Sequence, residues 1–232
     1  AFLAIGDGDR FRGQLRQMLP DHAGGAFEAV TTGSRAAARM LADPRAPFAD
    51  QGKWGFWLQQ VAWGTSKGIG STAGFDITGW GMSGGAEAET EAVGNFGLSL
   101  AYLYGKDTDK GTDNEVSANQ FELAGYWRAD FGGLHSFARV SGAHIRFKGR
   151  REFAGATDGA DVERRAKGHW NGTLWSAAGG ASYEMRFGRI SLRPAASIDY
   201  YRLHEKGYDE TGCGSAYDLF GAKKLPSIGH AA

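Results

Sequence analysis

Large apolar residues and small or polar residues alternate along much of the chain with a period of two, which is the spacing of a β-strand. In residues 93–105, VGNFGLSLAYLYG, one face is large and apolar: Phe96, Leu98, Leu100, Tyr102 and Tyr104. The other face is small and uncharged: Gly97, Ser99 and Ala101. A sheet over a soluble core would turn charged residues to water on that second face. The pattern therefore predicts an apolar medium on one side of this strand and a crowded space on the other.

The same alternation predicts further strands. With the first, they lie near residues 54–64, 72–86, 93–105, 116–131, 134–148, 169–187 and 190–204. These runs are longer than the average strand of about five or six residues, and they suit strands that cross a bilayer at a tilt.

The connections between the predicted strands alternate in length. Gly132-Gly133 and Gly188-Arg189 are two-residue hairpin connections with glycine first, which favours type II′ turns. Residues 106–115 and 149–168 are long, polar connections on the opposite side. Short turns on one side and long loops on the other are typical of outer-membrane barrels, whose long loops are extracellular.

The two faces of the strands predict two environments. We predict contact with lipid, or a place in the aromatic girdles at its edges, for Phe96, Leu98, Leu100, Tyr102, Tyr104, Trp127, Phe131, Trp175, Tyr183, Phe187 and Tyr200. We predict a pore-lining position for Gly97, Ser99, Ala101, Glu122, Arg128, Asp130, Glu184, Arg186, Arg193 and Asp199. Unpaired charges inside a barrel would cost several kcal/mol, so we expect the charged members to pair with each other or with an enclosed helix. A soluble sheet with one wet face is the alternative.

Two positions fit the alternation poorly. Phe137 shares a face with Arg139 and Ser141, which predicts a bulge or a different register in that strand. Pro194 lacks the N–H that a central strand needs, so we expect a local bulge there.

The N-terminal part of the chain reads as helical. Asp9 could cap a short helix that ends before Pro20, and a second helix is predicted for residues 25–41, before the Asp43-Pro44 pair. The second helix is rich in alanine and glycine, carries Glu28, Arg35 and Arg39, and would be roughly 25 Å long, close to the thickness of a bilayer core. We predict a helix enclosed in a polar channel; an ordinary surface helix is the alternative.

Composition narrows the class of protein. The 26 basic residues balance 26 acidic residues, so no nucleic-acid partner is indicated, and 37 glycines with 12% aromatic residues suit an all-β barrel. One cysteine, Cys213, cannot form an internal disulfide. No apolar run approaches the roughly 18 residues of a transmembrane helix, and the first residues do not resemble a signal peptide.

Candidate chemistry is weak. The sequence GMSGG at 81–85 matches the G-x-S-x-G esterase pattern at Ser83, but it falls late in a predicted strand, whereas the esterase serine needs a strand-to-helix turn. The acidic stretch 107–115 lacks the spacing of an EF-hand, and the six histidines lack metal-binding spacing. We predict no catalytic residue, no metal site and no cofactor, and so no enzyme.

The order of the glycine-aromatic segments carries a resemblance. KWGFWLQQVAWG, FDITGWGMSGGAE, FGLSLAYLYG, FELAGYWRADFG and ISLRPAASIDYYRLHEKGYDE follow the slender helix in sequence. This order resembles the C-terminal translocator domain of autotransporters (type V secretion), particularly those of alphaproteobacteria, from about residue 10 to about residue 218.

The resemblance implies an antiparallel transmembrane β-barrel of roughly twelve strands in the outer membrane of a Gram-negative cell. Residues 25–41 would be the pore helix, which joins the barrel to an N-terminal passenger domain exported to the cell surface. The implied partners are outer-membrane lipid, the chain's own passenger and the outer-membrane insertion machinery. An outer-membrane adhesin or porin-like barrel that binds partners through its extracellular loops is the alternative.

The C-terminal segment departs from the family pattern, which ends in a strand with a terminal aromatic residue. We predict a linker and pore helix in residues 1–50, a partial barrel in 51–220 with about seven or eight strands, and a tail outside the family in 221–232. On this interpretation the chain is a fragment, and we expect that it does not translocate by itself.

Overall fold

The computed structural model describes residues 8, 25–46, 53–68, 74–90, 93–110, 112, 114–157, 160–212 and 223–231. Within residues 153–164 and 223–224 the backbone alone is described. The short helix predicted from Asp9 to Pro20 lies outside the described residues.

The described elements are one helix and a series of strands. In chain order they are α1 Gly25–Ala42, β1 Trp54–Lys67, β2 Gly74–Thr90, β3 Gly94–Lys110, β4 Glu115–Phe131, β5 Leu134–Thr157, β6 Ala160–Tyr183, β7 Met185–Phe187, β8 Ile190–Leu192, β9 Ala195–Glu205, β10 Tyr208–Asp209, β11 Lys223–Lys224 and β12 Ser227–Ala231. The helix predicted at 25–41 is confirmed within one residue. No helix in the described part of the chain is both long and apolar enough to span a membrane.

The main sheet has eight strands in the order β1-β2-β3-β4-β5-β6-β9-β12, and every neighbouring pair is antiparallel. Among the described residues β1 and β12 are its two edges, so the sheet is not closed. Two short hairpin pairs, β7–β8 and β10–β11, lie outside it. The prediction of a partial antiparallel barrel preceded by a helix is confirmed.

The turn between β4 and β5 differs from the predicted type. Gly132 and Gly133 both have positive φ, at 57° and 94°. Positive φ at both central residues is the type I′ geometry, whereas type II′ needs it at the first residue alone. The pair of glycines removes the steric cost at both positions.

The long connections are shorter than predicted because the strands continue into them. β5 and β6 remain paired as far as Thr157 and Ala160, so most of the predicted loop 149–168 is a hairpin. Similarly, β3 runs to Lys110 and β4 begins at Glu115. The inward side chains of these extensions are still buried: Ala166 is fully buried and Asp107 is 2% exposed. Their burial stabilises strand pairing beyond the predicted strand ends.

Two local expectations in β5 and β9 are decided by the ladder. The predicted bulge near Phe137 is wrong, because Phe137, Arg139 and Ser141 pair in unbroken register with β4. The predicted strand 190–204 is interrupted at Pro194, which separates β8 from β9. Proline has no N–H for the ladder, but the Pro194 carbonyl accepts a hydrogen bond from the Tyr183 N–H at 3.1 Å.

Candidate functional site

Helix α1 lies against the inner face of the sheet. It contacts β1, β2, β3, β4 and β5, and Phe27 reaches Gly229 of the opposite edge strand β12. Glu28 in the first turn and Arg39 in the last turn match the helix dipole. The sheet therefore wraps around the helix from edge to edge.

Small residues let the helix approach the wall. A Cβ at Gly33 would lie 2.9 Å from Cζ2 of Trp63 on β1. Ala29, Ala36 and Ala37 of the helix form a buried apolar cluster with Trp63, Ile77 and Leu103. A second cluster joins Val30 of the helix to inward residues of β4, β5, β6 and β9. The slender sequence of α1 is thus explained by the narrow space that holds it.

We expect that Gly33→Leu destabilises the fold. Overpacking against Trp63 costs about 1–3 kcal/mol, and the better helix propensity of leucine returns about 0.8 kcal/mol. The net loss should be about 0.2–2 kcal/mol in the free energy of unfolding, measured by urea titration of the protein in detergent micelles.

Arg39→Leu is the matched control for this prediction because Arg39 is exposed on the same helix. It should change the free energy of unfolding by less than about 0.5 kcal/mol. A Gly33→Leu protein as stable as the wild type would show that the helix does not press against β1.

A buried polar network joins the helix to three strands. Ser34 of α1 donates to Oε2 of Glu122 on β4 at 2.6 Å. Arg139 of β5 forms an ion pair with the other carboxylate oxygen of Glu122. The same guanidinium donates to the hydroxyls of Ser141 and Ser176 at 3.3 and 3.4 Å, and all five side chains are buried. A buried ion pair is tolerated when further hydrogen bonds satisfy its atoms, as they do here.

A second buried network lies nearer the turn between β4 and β5. Arg128 donates to both carboxylate oxygens of Glu87 on β2, at 2.6 and 2.9 Å. Asn95 and the Tyr126 hydroxyl each donate to Glu87 at 3.0 Å. The Trp57 indole donates in turn to the Tyr126 hydroxyl at 2.7 Å. This network ties β1, β2, β3 and β4 together across the inner face.

Side chains of the wall bind backbone carbonyls at the C-terminal end of α1. Gln59 Nε2 of β1 donates to the Ala37 carbonyl at 2.8 Å. Nε2 of His135 on β5 lies 2.8 Å from the Leu41 carbonyl. A carbonyl oxygen can only accept, so this contact requires the tautomer with the proton on Nε2. The Leu41 carbonyl is among the last four of the helix, which lack partners within it, and the wall supplies one.

A wall charge lies at the N-terminal end of α1, and a second contact from the wall follows its C-terminal end. Gly25 lies so close to the Asp107 carboxylate that a Cβ at this position would overlap it. At the other end Arg128 Nη1 donates to the Ala46 carbonyl at 3.3 Å. A negative group near a helix N-terminus is worth about 0.3–1 kcal/mol, whereas Arg128 binds four residues past the end of α1 and is already paired with Glu87, so it adds little to this preference. The wall therefore favours the observed direction of the helix.

The structure places several predicted pore-lining residues on this inner face. Glu122 and Arg128 are members of the two buried networks. Ser99 is 9% exposed, and Ala101 packs against the helix cluster. A Cβ at Gly97 would overlap an aromatic ring of β4.

Charged residues near the helix are less buried. Arg35 of the helix donates to Asp199 of β9 at 3.1 Å, and Arg35 is about half exposed. Asp130 has a 43% exposed side chain and lies 3.5 Å from Nδ1 of the histidine that contacts the helix carbonyl. Glu28 is partly buried and Arg39 is exposed.

Three predicted pore residues lie elsewhere. Glu184, Arg186 and Arg193 surround the short hairpin β7–β8, which is outside the main sheet, and Arg186 is 76% exposed. Glu184 accepts from Arg186 at 2.8 Å and from Arg193 at 2.6 Å. The interruption at Pro194 separates this hairpin from the wall, so the structure does not bring these three together with the helix.

The Glu184 cluster gives a pH prediction. Hydrogen bonds from Arg186 and Arg193 lower the pKa of the Glu184 carboxyl to about 2. The carboxylate is favoured in the folded hairpin, so its contribution to stability is present above the ordinary glutamate pKa and is lost as the pH falls through about 2. A carboxyl-carbon NMR titration should give a midpoint near pH 2, and Arg186→Gln should raise it. A midpoint at the ordinary glutamate value would contradict the contacts.

The residues predicted to face lipid are on the outer face, away from α1. Exposed side chains are Phe96, Leu98, Leu100, Phe131, Trp175, Tyr183, Phe187 and Tyr200. Partly exposed side chains are Tyr102, Tyr104 and Trp127. Phe187 belongs to β7 rather than to the main sheet. An uncovered surface this apolar is costly in water, and it suits a lipid environment.

Sequence reasoning missed part of the inner face. The missed residues are Ser34, Gln59, Glu87, Asp107, His135, Arg139 and Ser141. Glu87 and Asp107 lie in strand extensions beyond the predicted ends, so the predicted faces did not include them. Arg139 and Ser141 share a face with Phe137 in the sequence pattern, and this was interpreted as a bulge. The correct interpretation is that all three side chains face inward.

Ser83 lies in the middle of β2 and is 2% exposed. Its hydroxyl accepts a hydrogen bond from Gln59 Nε2 at 2.8 Å. The G-x-S-x-G pattern requires a strand-to-helix turn that exposes the serine, and the local structure here is a continuous strand.

Comparisons with known proteins agree with this arrangement. The family model of the autotransporter beta-domain matches residues 56–224. The solved translocator domain of the autotransporter NalP from Neisseria meningitidis is similar in fold, with a TM-score of 0.63 and 17% sequence identity. The similarity covers 88% of this chain and 66% of that domain, so the chain spans just under two thirds of its length. No curated protein sequence matches significantly.

The family match covers most of the chain, including every strand from β2 to β10. The domain boundaries predicted at residues 50 and 220 stay predictions. Autotransporter translocator domains are outer-membrane β-barrels and are not enzymes. The family match shows that the chain belongs to the autotransporter β-domain family, and the apolar outer face and the enclosed helix agree with it. The chain is located in the outer membrane.

Proposed function

We propose that this chain forms part of the outer-membrane wall through which an N-terminal passenger domain is exported, and that it acts without catalysis. One observation carries the proposal: a helix is held by buried polar networks inside a sheet whose outer face is apolar. An adhesin barrel that binds through its loops has no need of such a helix.

The direction of the helix supports the same function. Its N-terminal residue Gly25 lies beside Asp107, near the long-connection end of β3. Near its C-terminal end Leu41 contacts His135, which follows the short turn at 132–133. Short turns are periplasmic in outer-membrane barrels. The N-terminal end of α1 then faces the cell surface, where a passenger would be delivered.

An epitope inserted directly before residue 25, in the gene that encodes this chain, tests export. Intact cells should bind the antibody to the epitope, and external protease should remove it. A matched tag in the turn at 188–189 should be reached only after the outer membrane is permeabilised. If the protein is present in the outer membrane but both tags are protected in intact cells, the export function is refuted.

We also propose that the outer-membrane insertion machinery binds the chain during assembly. The edge strand β1 supports this proposal, since within the described residues its one ladder partner is β2. An unpaired strand edge is a template for another strand. Photo-crosslinkers at Gln60 and Ala62 should capture the machinery during assembly, whereas one at Leu123 in the central strand β4 should not. Equal capture at all three positions would count against edge recognition.

A further inference from the structure

The outer face carries a group of unpaired cations above the apolar band. We name it the basic belt: Arg146 and Lys148 of β5, Lys167 of β6, Arg202 of β9, and Lys206, which directly follows β9. All five are exposed. None of the five forms an ion pair with another residue in the described ranges.

The ladder brings these cations together. Arg146 pairs with Asn171, and the Lys206 N–H donates to the carbonyl of Asn171 from the other side at 2.8 Å. Adjacent strands lie about 4.8 Å apart, so the backbones of Arg146 and Lys206 are roughly 10 Å apart. One step farther from the band, Lys148 pairs with His169. Exposed charges about 10 Å apart repel one another only weakly at ordinary ionic strength, and an anion between them would attract both.

The belt begins where the apolar band ends. Arg202 is the cross-strand partner of Trp175, which is 59% exposed. Lys167 lies eight residues beyond Trp175 on the same strand, roughly 26 Å at 3.3 Å per residue. The cations nearest the band therefore lie at the level of the headgroups of the lipids whose acyl chains cover it, and Lys167 lies farther out.

Cations at the same level on the neighbouring strands have partners within the protein. Lys106 of β3 binds Glu115 at 2.8 Å, and Lys110 binds Asp76 at 3.1 Å. The basic belt is therefore a local feature of β5, β6 and β9 rather than a general property of this rim.

We propose that the basic belt binds the phosphorylated headgroups of outer-leaflet lipids and so anchors this side of the wall. The inference rests on the outer-membrane orientation of the proposed function. Each Lys or Arg near an anionic membrane surface contributes about 1 kcal/mol of attraction. Cations that begin at the edge of the apolar band and have no ion-pair partner among the described residues match the phosphate groups of a membrane surface, whereas a single soluble anion would engage only the nearest two or three of them.

The test measures lipid binding to the refolded full chain in a zwitterionic detergent by native mass spectrometry. The probes are a diphosphorylated glucosamine disaccharide lipid, its dephosphorylated form, and inorganic phosphate. The belt variant is Arg146→Gln, Lys148→Gln and Arg202→Gln. The control variant is Lys53→Gln, Lys67→Gln and Arg189→Gln, which removes the same charge from exposed positions elsewhere.

Wild type and control should bind the phosphorylated lipid at least about tenfold more tightly than the dephosphorylated lipid, and the belt variant should lose that preference. Equal binding of both lipids by the wild type, or an unchanged preference in the belt variant, would overturn the proposal. So would competition by inorganic phosphate at the concentration of the lipid, which would indicate a site for free anions. The export function is tested separately, by antibody access to the epitope before residue 25, so a failure of lipid binding and a failure of export are distinguishable.

Discussion

Replacing Arg139 with alanine should lower the free energy of unfolding by about 3–5 kcal/mol. The change leaves the Glu122 carboxylate buried, with its hydrogen bonds from Ser34 and Gln120 but without its ion-pair partner. The cost comes from an uncompensated charge that the wall cannot hydrate. Urea unfolding of the protein refolded in detergent micelles, followed by tryptophan fluorescence, measures the loss.

Arg146→Ala is the control for this loss, because Arg146 lies on the same strand and is exposed on the outer face. It should change the free energy of unfolding by less than about 0.5 kcal/mol. The double change Glu122→Leu with Arg139→Met should recover most of the stability, since removing both charges removes the unpaired one. A loss below about 1 kcal/mol for Arg139→Ala would mean that water reaches this part of the inner face.

Replacing Glu87 with alanine should also cost about 3–5 kcal/mol. The guanidinium of Arg128 would remain buried without its counter-charge, and Asn95 and Tyr126 would each lose an acceptor. Glu87→Gln keeps an acceptor while removing the charge, so its loss should be smaller than that of alanine. The same unfolding measurement applies.

Glu89 supplies the comparison for Glu87. It lies two residues farther along β2 and is partly exposed. Glu89→Ala should stay within about 0.5 kcal/mol of the wild type. Equal losses of stability at Glu87 and Glu89 would show that any glutamate-to-alanine change in this part of β2 has the same cost, and that the buried network is not its cause.

The fold was largely predictable because two periodicities are strong in this sequence. The two-residue alternation of β3 placed Leu98 and Leu100 outside and Ser99 inside, and the ladder has the same alternation. The alanine-rich run of α1 predicted a narrow helix, whose bounds differ by one residue from those expected. Both signals are local, so a single sequence contains them.

The partners within the inner face could not be predicted, because they depend on register and side-chain reach. The residue opposite Glu122 on β5 is Ala143, yet Glu122 pairs with Arg139, four positions earlier on that strand. A long guanidinium reaches along the wall, and residue types alone do not specify its direction. The separation of hairpin β7–β8 from the main sheet was missed for a different reason: Pro194 was expected to cause a bulge, but it lies in a break between β8 and β9.

Fluorescence quenching by brominated lipids tests the central claim, that lipid covers the outer face while the helix fills the inner one. Two single-tryptophan variants in vesicles suffice: one retains Trp175, which is 59% exposed on the outer face, and the other retains Trp63, which is 8% exposed against Gly33 of the helix. Brominated acyl chains should quench Trp175 strongly and leave Trp63 nearly unchanged. Quenching of Trp63 as strong as that of Trp175 would contradict the enclosed helix.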